Sequence, residues 1–233
     1  MPRPFRLDLG DGHFLAGDEL AGAGPTYVFL HGLGSVRQGV KSTSLLAHAQ
    51  QSGRAFVRVD LRGHGESSGT IGLVKPSALI DDVVRLLQRL GPSVVVGSSL
   101  GGLVGAMAAA ACPQQAVGLG LLAPAFGLMN GLADRLDAHG QLRTSDGRSF
   151  PVAADVLADA RAIDERSLPR RLAVPTLLVH GTADDVIPQQ VSERFFQALT
   201  QPQKELWLVP GGDHRLADVA DAIWPRLDAL LAR

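Results

Sequence analysis

One cysteine, Cys112, stands among 233 residues, so the chain has no intramolecular disulfide to draw on. It follows Ala108-Ala109-Ala110-Ala111 and precedes Pro113, the setting of a buried small hydrophobe rather than of a reactive thiol. Aromatic residues are few, at 5 %, and excess charge is absent, with a formal net charge of −1 and no long run of one sign. That balance excludes the basic footprint of a nucleic-acid binder and the polybasic surface of a membrane-adsorbed protein. No apolar run is long enough to span a bilayer, and Met1-Pro2-Arg3-Pro4-Phe5-Arg6 carries no apolar signal core. The expectation is a cytoplasmic, globular protein of one domain over residues 1–233, with one sizeable core. Oligomeric state is not written in the composition.

What the chain does have is an alternation of short apolar runs and helical patterns. Two short strands, at 5–9 and 13–16, flank Gly10-Asp11-Gly12. Strands follow at 26–30, 55–59, 93–96, 117–123, 176–180 and 205–209. Helical patterns fall at 42–52, 76–90, after residue 99, at 189–199 and at 218–231. Strands alternating with helices predict an α/β fold, a mainly parallel sheet of about eight strands with helices on both faces. Residues 124–173 break the alternation. They hold an apolar stretch at 128–136, a Gly/Ser/Asp-rich piece around Thr144-Ser145-Asp146-Gly147, and a helical pattern at 152–163, and read as a short lid inserted after a strand.

The segment Ser93-Val94-Val95-Val96-Gly97-Ser98-Ser99-Leu100-Gly101-Gly102-Leu103 runs from a β-branched strand through a glycine and a serine into an Ala-rich helix. This is the strand, sharp turn and helix that a G-x-S-x-G nucleophile requires, with Gly97 and Gly101 keeping the corner open around Ser99. The pattern occurs a second time, at Gly65-Glu66-Ser67-Ser68-Gly69. There the strand ends several residues earlier, near Asp60, and no helix follows, so context selects Ser99 over Ser67. Ser98 is excluded because Val96, not glycine, precedes it by two.

A serine hydroxyl needs a base, and the base needs an acid to orient it. On a strand–turn–helix of this kind the partners follow in the order Ser, Asp or Glu, His. Asp184 lies just past a strand in His180-Gly181-Thr182-Ala183-Asp184-Asp185, with Asp185 as its rival and helix capping as the plainer role for both. His214, in Pro210-Gly211-Gly212-Asp213-His214, is the histidine placed after both Ser99 and Asp184. His31, His64 and His180 each precede a glycine at a strand end, where a ring usually makes local hydrogen bonds. Two backbone N–H groups must face the developing oxyanion, and the candidates are Leu100, after the nucleophile, and Leu33, in the His31-Gly32-Leu33-Gly34 loop. Gly32 lets that loop approach the corner. Phe126, Leu128 and Met129, just past a strand end, would either line an apolar acyl pocket suited to short or medium chains or pack the lid on the core.

In sequence order, HGLG, DLRGHGES, GSSLGG, HGTADDVIP and GGDHRL resemble the α/β-hydrolase superfamily over the whole chain. GSSLGG with GDHRL and a short lid is similar to the palmitoyl-protein thioesterase branch, of the α/β-hydrolase domain 10 type. The resemblance implies an α/β-hydrolase fold and a hydrolase of carboxylic esters or thioesters, with Ser99, Asp184 and His214 as its triad. Its substrate would be a small-molecule acyl ester or thioester, and neither metal nor organic cofactor is needed. Two alternatives remain. One is other chemistry on the same fold: a dehalogenase needs Asp in place of Ser99, while a cofactor-free perhydrolase is disfavoured by Leu100 where an aromatic often stands. The other is a non-catalytic binding module, which commonly lacks a triad member.

Overall fold

A computed structural model describes residues 1–144 and 147–233 of the chain. The elements run β1 (Arg3–Asp8), β2 (Phe14–Leu20), β3 (Ala23–Leu30), α1 (Val40–Gln51), β4 (Arg54–Val59), α2 (Pro76–Leu90), β5 (Ser93–Ser98), α3 (Leu100–Ala111) and β6 (Ala116–Leu122). After them come α4 (Leu128–Gly131), a 3-10 turn (Ala133–Arg135), β7 (Gln141–Arg143), β8 (Ser149–Pro151), α5 (Ala154–Ala162) and α6 (Leu168–Arg171). The chain closes with β9 (Thr176–Gly181), α7 (Gln190–Ala198), β10 (Lys204–Val209), a 3-10 turn (Ala217–Val219) and α8 (Ala220–Leu231).

Eight strands form one sheet in the order β1-β2-β4-β3-β5-β6-β9-β10. The pairs from β4 to β10 are parallel, and β2 is antiparallel to both β1 and β4. This is the α/β architecture expected. Side chains of β3 alternate between the two faces: Val28 and Leu30 enter the core with α2 and α3, while Tyr27 and Phe29 enter the core with α1 and α8. Helix α2 presents Leu79, Val83, Leu86 and Leu87, and α8 presents Ile223, Trp224, Leu227 and Leu230, at helical spacing toward their own faces.

Strand β2 runs longer than its sequence suggests, through Gly17-Asp18-Glu19-Leu20, because it pairs on both edges. The buried Asp18 carboxylate is tolerated there because Arg58 Nε lies 2.8 Å away and Arg37 Nε 3.3 Å away. The apolar stretch at 128–136 forms a one-turn helix and a 3-10 turn, and β7 and β8 form a separate two-stranded hairpin after it. Of the Gly/Ser/Asp-rich piece, Ser145 and Asp146 lie outside the described residues.

The parallel strands all deliver their C-terminal ends to one rim. The chain leaves β3 for α1 on one face and leaves β4 for α2 on the other, so a crevice opens beyond the ends of β3 and β5.

Candidate active site

Ser99 occupies the corner between β5 and α3 with φ 54° and ψ −117°, a backbone conformation that a non-glycine residue holds only when its surroundings enforce it. The enforcement is visible. The Ser99 N–H donates to the Leu122 carbonyl at 2.9 Å, and its own carbonyl accepts from Gly102 and Ala125 at 3.0 Å each. A Cβ at Gly97 would stand 2.2 Å from the Gly101 carbonyl oxygen, and one at Gly101 would stand 2.3 Å from the Leu30 carbonyl oxygen. Both positions therefore exclude every side chain: the first lets helix cross strand, the second lets the helix reach β3. Among the described residues the other two non-glycine residues with positive φ, Ala123 and Leu216, also lie beside this rim, after β6 and after His214.

The loop after β3 reaches the same corner. A Cβ on Gly32 would lie 3.2 Å from Ser99 Cβ. His31 holds the loop from below: its Nε2 accepts the Leu61 N–H at 3.0 Å, so its Nδ1 carries the proton and donates to the Gly32 carbonyl at 2.8 Å. Burial pulls the His31 pKa down to about 4, which keeps the ring neutral. His64 packs edge-on against it at 5.0 Å and accepts the Gly34 N–H at 3.1 Å. Among the described residues, neither the Leu33 nor the Leu100 N–H donates to an acceptor in the chain, which leaves both available.

Asp184 and His214 come from the loops after β9 and β10, and these loops are pinned together. The Ala183 N–H donates to the Gly212 carbonyl at 2.9 Å, and the Gly211 N–H donates to Thr182 Oγ1 at 2.8 Å. A Cβ at Gly181 would lie 2.2 Å from the Gly212 carbonyl oxygen, so this contact too requires glycine. His214 Nδ1 then lies 2.8 Å from Asp184 Oδ2. A carboxylate accepting at Nδ1 fixes the proton there and turns Nε2 toward the cavity as an acceptor. Asp185, exposed, makes no hydrogen bond among the described residues.

The Asp184 carboxylate is fully buried and has four donors. Its Oδ1 accepts the Val186 and Ile187 N–H groups at 2.9 and 2.8 Å, and its Oδ2 accepts from His214 and from His180 Nε2 at 3.1 Å. Burial raises its pKa, but the hydrogen bonds from His180, His214 and Ile187 together outweigh that, and the carboxyl titrates well below the usual range. His180 makes the local bonds expected of it, with Ser192 Oγ at 2.7 Å on Nδ1 and the Ile187 carbonyl at 2.9 Å on Nε2. Its contact with Asp184 goes beyond those local bonds. The four-residue spacing in His180-Gly181-Thr182-Ala183-Asp184 was the available signal, and only a turn folding back on the strand end makes it meaningful.

Ser99 and His214 line one cavity of about 500 Å³, with Gly32 and Leu33 on its wall. Among the described residues the Ser99 hydroxyl makes no hydrogen bond, so it is free for an incoming partner. Phe126, Leu128 and Met129 are not among the residues lining this cavity. The structure places them in the core: Phe126 stacks on Phe195 with ring centroids 3.6 Å apart, and Met129 is 2 % exposed. Gly127, at φ 85°, turns the chain there, and the buried Glu165 carboxylate receives the Gly127 and Met129 N–H groups. No group of three or more metal-binding side chains occurs among the described residues, and no helix among them is long and apolar enough to cross a membrane.

A strained serine at a strand–helix corner, an Asp–His pair from two later strand ends and a glycine loop facing them define the rim of an α/β hydrolase. The model of the alpha/beta hydrolase family matches residues 27–224, and the chain belongs to that family. The mouse mitochondrial palmitoyl-protein thioesterase ABHD10 is 28 % identical over 221 residues, covering 89 % of this chain and 74 % of the relative. The solved structure of mouse α/β hydrolase domain-containing protein 10 superposes with a TM-score of 0.80 at 24 % identity, covering 99 % of this chain and 96 % of the other. Est1E from Butyrivibrio proteoclasticus, solved with ferulic acid bound, gives 0.81 at 19 % identity over 97 % and 99 % of the two chains.

Proposed function

We propose that the protein is a serine hydrolase of carboxylic esters and thioesters, with Ser99 as nucleophile, His214 as base and Asp184 as the acid that orients it. His214 Nε2 takes the Ser99 proton as Oγ attacks the acyl carbonyl. The Leu33 and Leu100 N–H groups receive the oxyanion, and His214 then protonates the departing alcohol or thiol. Water repeats the sequence on the acyl-enzyme, giving its proton to His214, and the collapse returns that proton to Ser99. No cofactor enters the cycle.

The 2.8 Å His214–Asp184 bond beside an unpartnered Ser99 hydroxyl carries this reading. Leu33, Val36 and Val40 give the cavity an apolar wall, and its volume suits a small-molecule ligand. Residues 124–173 are read as a lid built into a single domain, with its hairpin leaning on the oxyanion loop through Arg148 and the Gly34 carbonyl. A location in a reducing compartment, the cytoplasm, accords with the single unpaired cysteine. The relative named as a palmitoyl-protein thioesterase favours thioesters among the substrates to try.

The test is hydrolysis of p-nitrophenyl acyl esters and acyl thioesters of graded length by wild type and Ser99→Ala, with a fluorophosphonate probe alongside. Ser99-dependent labelling and turnover are expected. Full turnover by Ser99→Ala, or no labelling of wild type, overturns the assignment and leaves a binding module.

A further inference from the structure

The charge around the cavity is one-sided. Three lining side chains are cationic, Lys41, Arg148 and Arg215, and none of the described lining residues is Asp or Glu. Two carboxylates, Asp184 and Asp213, act on Lys41 through space, but neither pairs with it or lines the cavity. Asp184 is held by the two histidines and two N–H groups, and Asp213 Oδ1 accepts the Arg215 and Leu216 N–H groups at 3.0 and 2.9 Å. Among the described residues the Arg215 guanidinium makes no ion pair. Lys41 Nζ donates to the Arg215 carbonyl at 2.5 Å and, among the described residues, forms no ion pair with a carboxylate. Burial pulls the lysine pKa down to about 8, outweighing the through-space pull of the Asp213 and Asp184 carboxylates, and the Arg215 charge beside it acts in the same direction as burial.

The position of these cations says which part of a substrate they face. Arg215 follows His214 directly, and Lys41 is bonded to the Arg215 carbonyl. In a serine hydrolase the histidine delivers its proton to the leaving group, so the leaving group departs on the histidine's side of the cavity. We propose that Lys41 and Arg215 form an anion subsite for the leaving group, so that the preferred substrate is an acyl ester or thioester whose alcohol or thiol carries a carboxylate or phosphate. This rests on the serine-hydrolase reading above. The apolar wall at Leu33, Val36 and Val40 takes the uncharged acyl part. Such a substrate is amphiphilic, and the rim matches it: Val36 and Val40 are among the few large apolar side chains the protein exposes.

The experiment compares the octanoyl ester of 4-hydroxyphenylacetate with that of its neutral primary amide, which release phenols of similar acidity. The octanoyl ester of 4-hydroxybenzyl phosphate separates phosphate from carboxylate. A 4-nitrophenyl monoester of octanedioic acid puts the anion on the acyl side instead. Wild type is expected to favour the anionic leaving groups in kcat/KM by about tenfold at low salt, and less as salt screens them. Arg215→Gln and Lys41→Met should each lower that anionic-to-neutral ratio by about threefold to fivefold. Arg215 is exposed, so Arg215→Gln decides the matter if Lys41→Met disturbs the loop through its lost bond to the Arg215 carbonyl.

A wild-type ratio near one, or a ratio unmoved by Arg215→Gln, overturns the subsite while Ser99 still labels with fluorophosphonate. A preference confined to the octanedioate ester overturns its assignment to the leaving group. If Ser99 neither labels nor turns over any ester, the hydrolase reading falls and the subsite with it.

Discussion

The chain contains the same five-residue pattern twice, and the two copies are built for different work. At Gly97–Gly101 the glycines are excluded volume: backbone carbonyls stand 2.2 and 2.3 Å from where their Cβ atoms would be, and the serine between them points into a cavity with no partner. At 65–69 the serine is buried and spoken for. Ser67 Oγ donates to the Asp60 carbonyl at 2.6 Å and accepts the Ala16 N–H at 2.8 Å. Gly65 is required there by the Asp60 carboxylate, 2.2 Å from the site of a Cβ. That carboxylate also accepts the Arg37 N–H at 2.7 Å, anchoring the end of the loop that begins at His31. With His64 holding Gly34, the second segment is the scaffold of the loop that faces Ser99, the one proposed to receive the oxyanion. A motif reports spacing; the hydrogen bonds of its central hydroxyl report its use.

The largest test of this contrast is the pair of serine deletions. Ser99→Ala should lower kcat by about 10⁴-fold or more while leaving the melting temperature unchanged or higher, since the hydroxyl makes no bond. Ser67→Ala should keep kcat and lose about 1–2 kcal/mol in urea unfolding, since it strands a buried N–H and carbonyl. Activity lost by Ser67→Ala in folded protein would break the comparison. The glycines come next. Gly101→Ala and Gly65→Ala should each cost about 2–4 kcal/mol of stability, with residual folded Gly101→Ala showing the deeper loss of turnover.

A smaller effect is expected at His180, which steadies Asp184 without touching substrate. His180→Gln should lower kcat about tenfold to a hundredfold with KM little changed, and should shift the acid limb of the pH–rate profile. An unchanged profile would reduce His180 to packing. The smallest concerns acid stability. His31 stays neutral when folded, with a pKa of about 4, whereas the unfolded ring titrates near 6.5. As pH falls the unfolded chain binds the proton first, so stability present at pH 7 is lost between about pH 6.5 and 4, by up to about 3 kcal/mol. Urea midpoints measured across that window should decline less steeply in His31→Gln than in wild type.

Much of the rim was legible because parallel strands end at one edge and the loops after them stand close whatever their distance in sequence. Ser99, Asp184, His214 and the His31-Gly32-Leu33-Gly34 loop could be read that way, each from a strand and the few residues after it. What escaped depends on contacts that no local pattern encodes. Which of its two readings Phe126 takes, cavity or core, is decided by Gly127, which turns the chain at positive φ, and by Glu165, thirty-eight residues on, which receives the Gly127 N–H. The β7–β8 hairpin has strands of three residues, too short for an alternation to register. Lys41 and Arg215, 174 positions apart, share a wall only because α1 packs beside the loop after β10.

The strained backbone at Ser99 has an evolutionary side. A single codon change can erase the proposed nucleophile, acid or base, but a donor made of main chain is removed only by proline. Position 100 opens α3, where a helix ordinarily accepts proline without loss. Here it cannot, because a residue preceding proline is driven to ψ near +120° to +160°, and Ser99 is held at −117°. The corner that exposes the hydroxyl thus also shields its neighbouring N–H from mutation: any chain that accepted the proline would already have lost the turn. Drift in this protein can change the side chains of the proposed triad, yet as long as the corner folds, the Leu100 N–H proposed to receive the oxyanion stays in place for any nucleophile that follows.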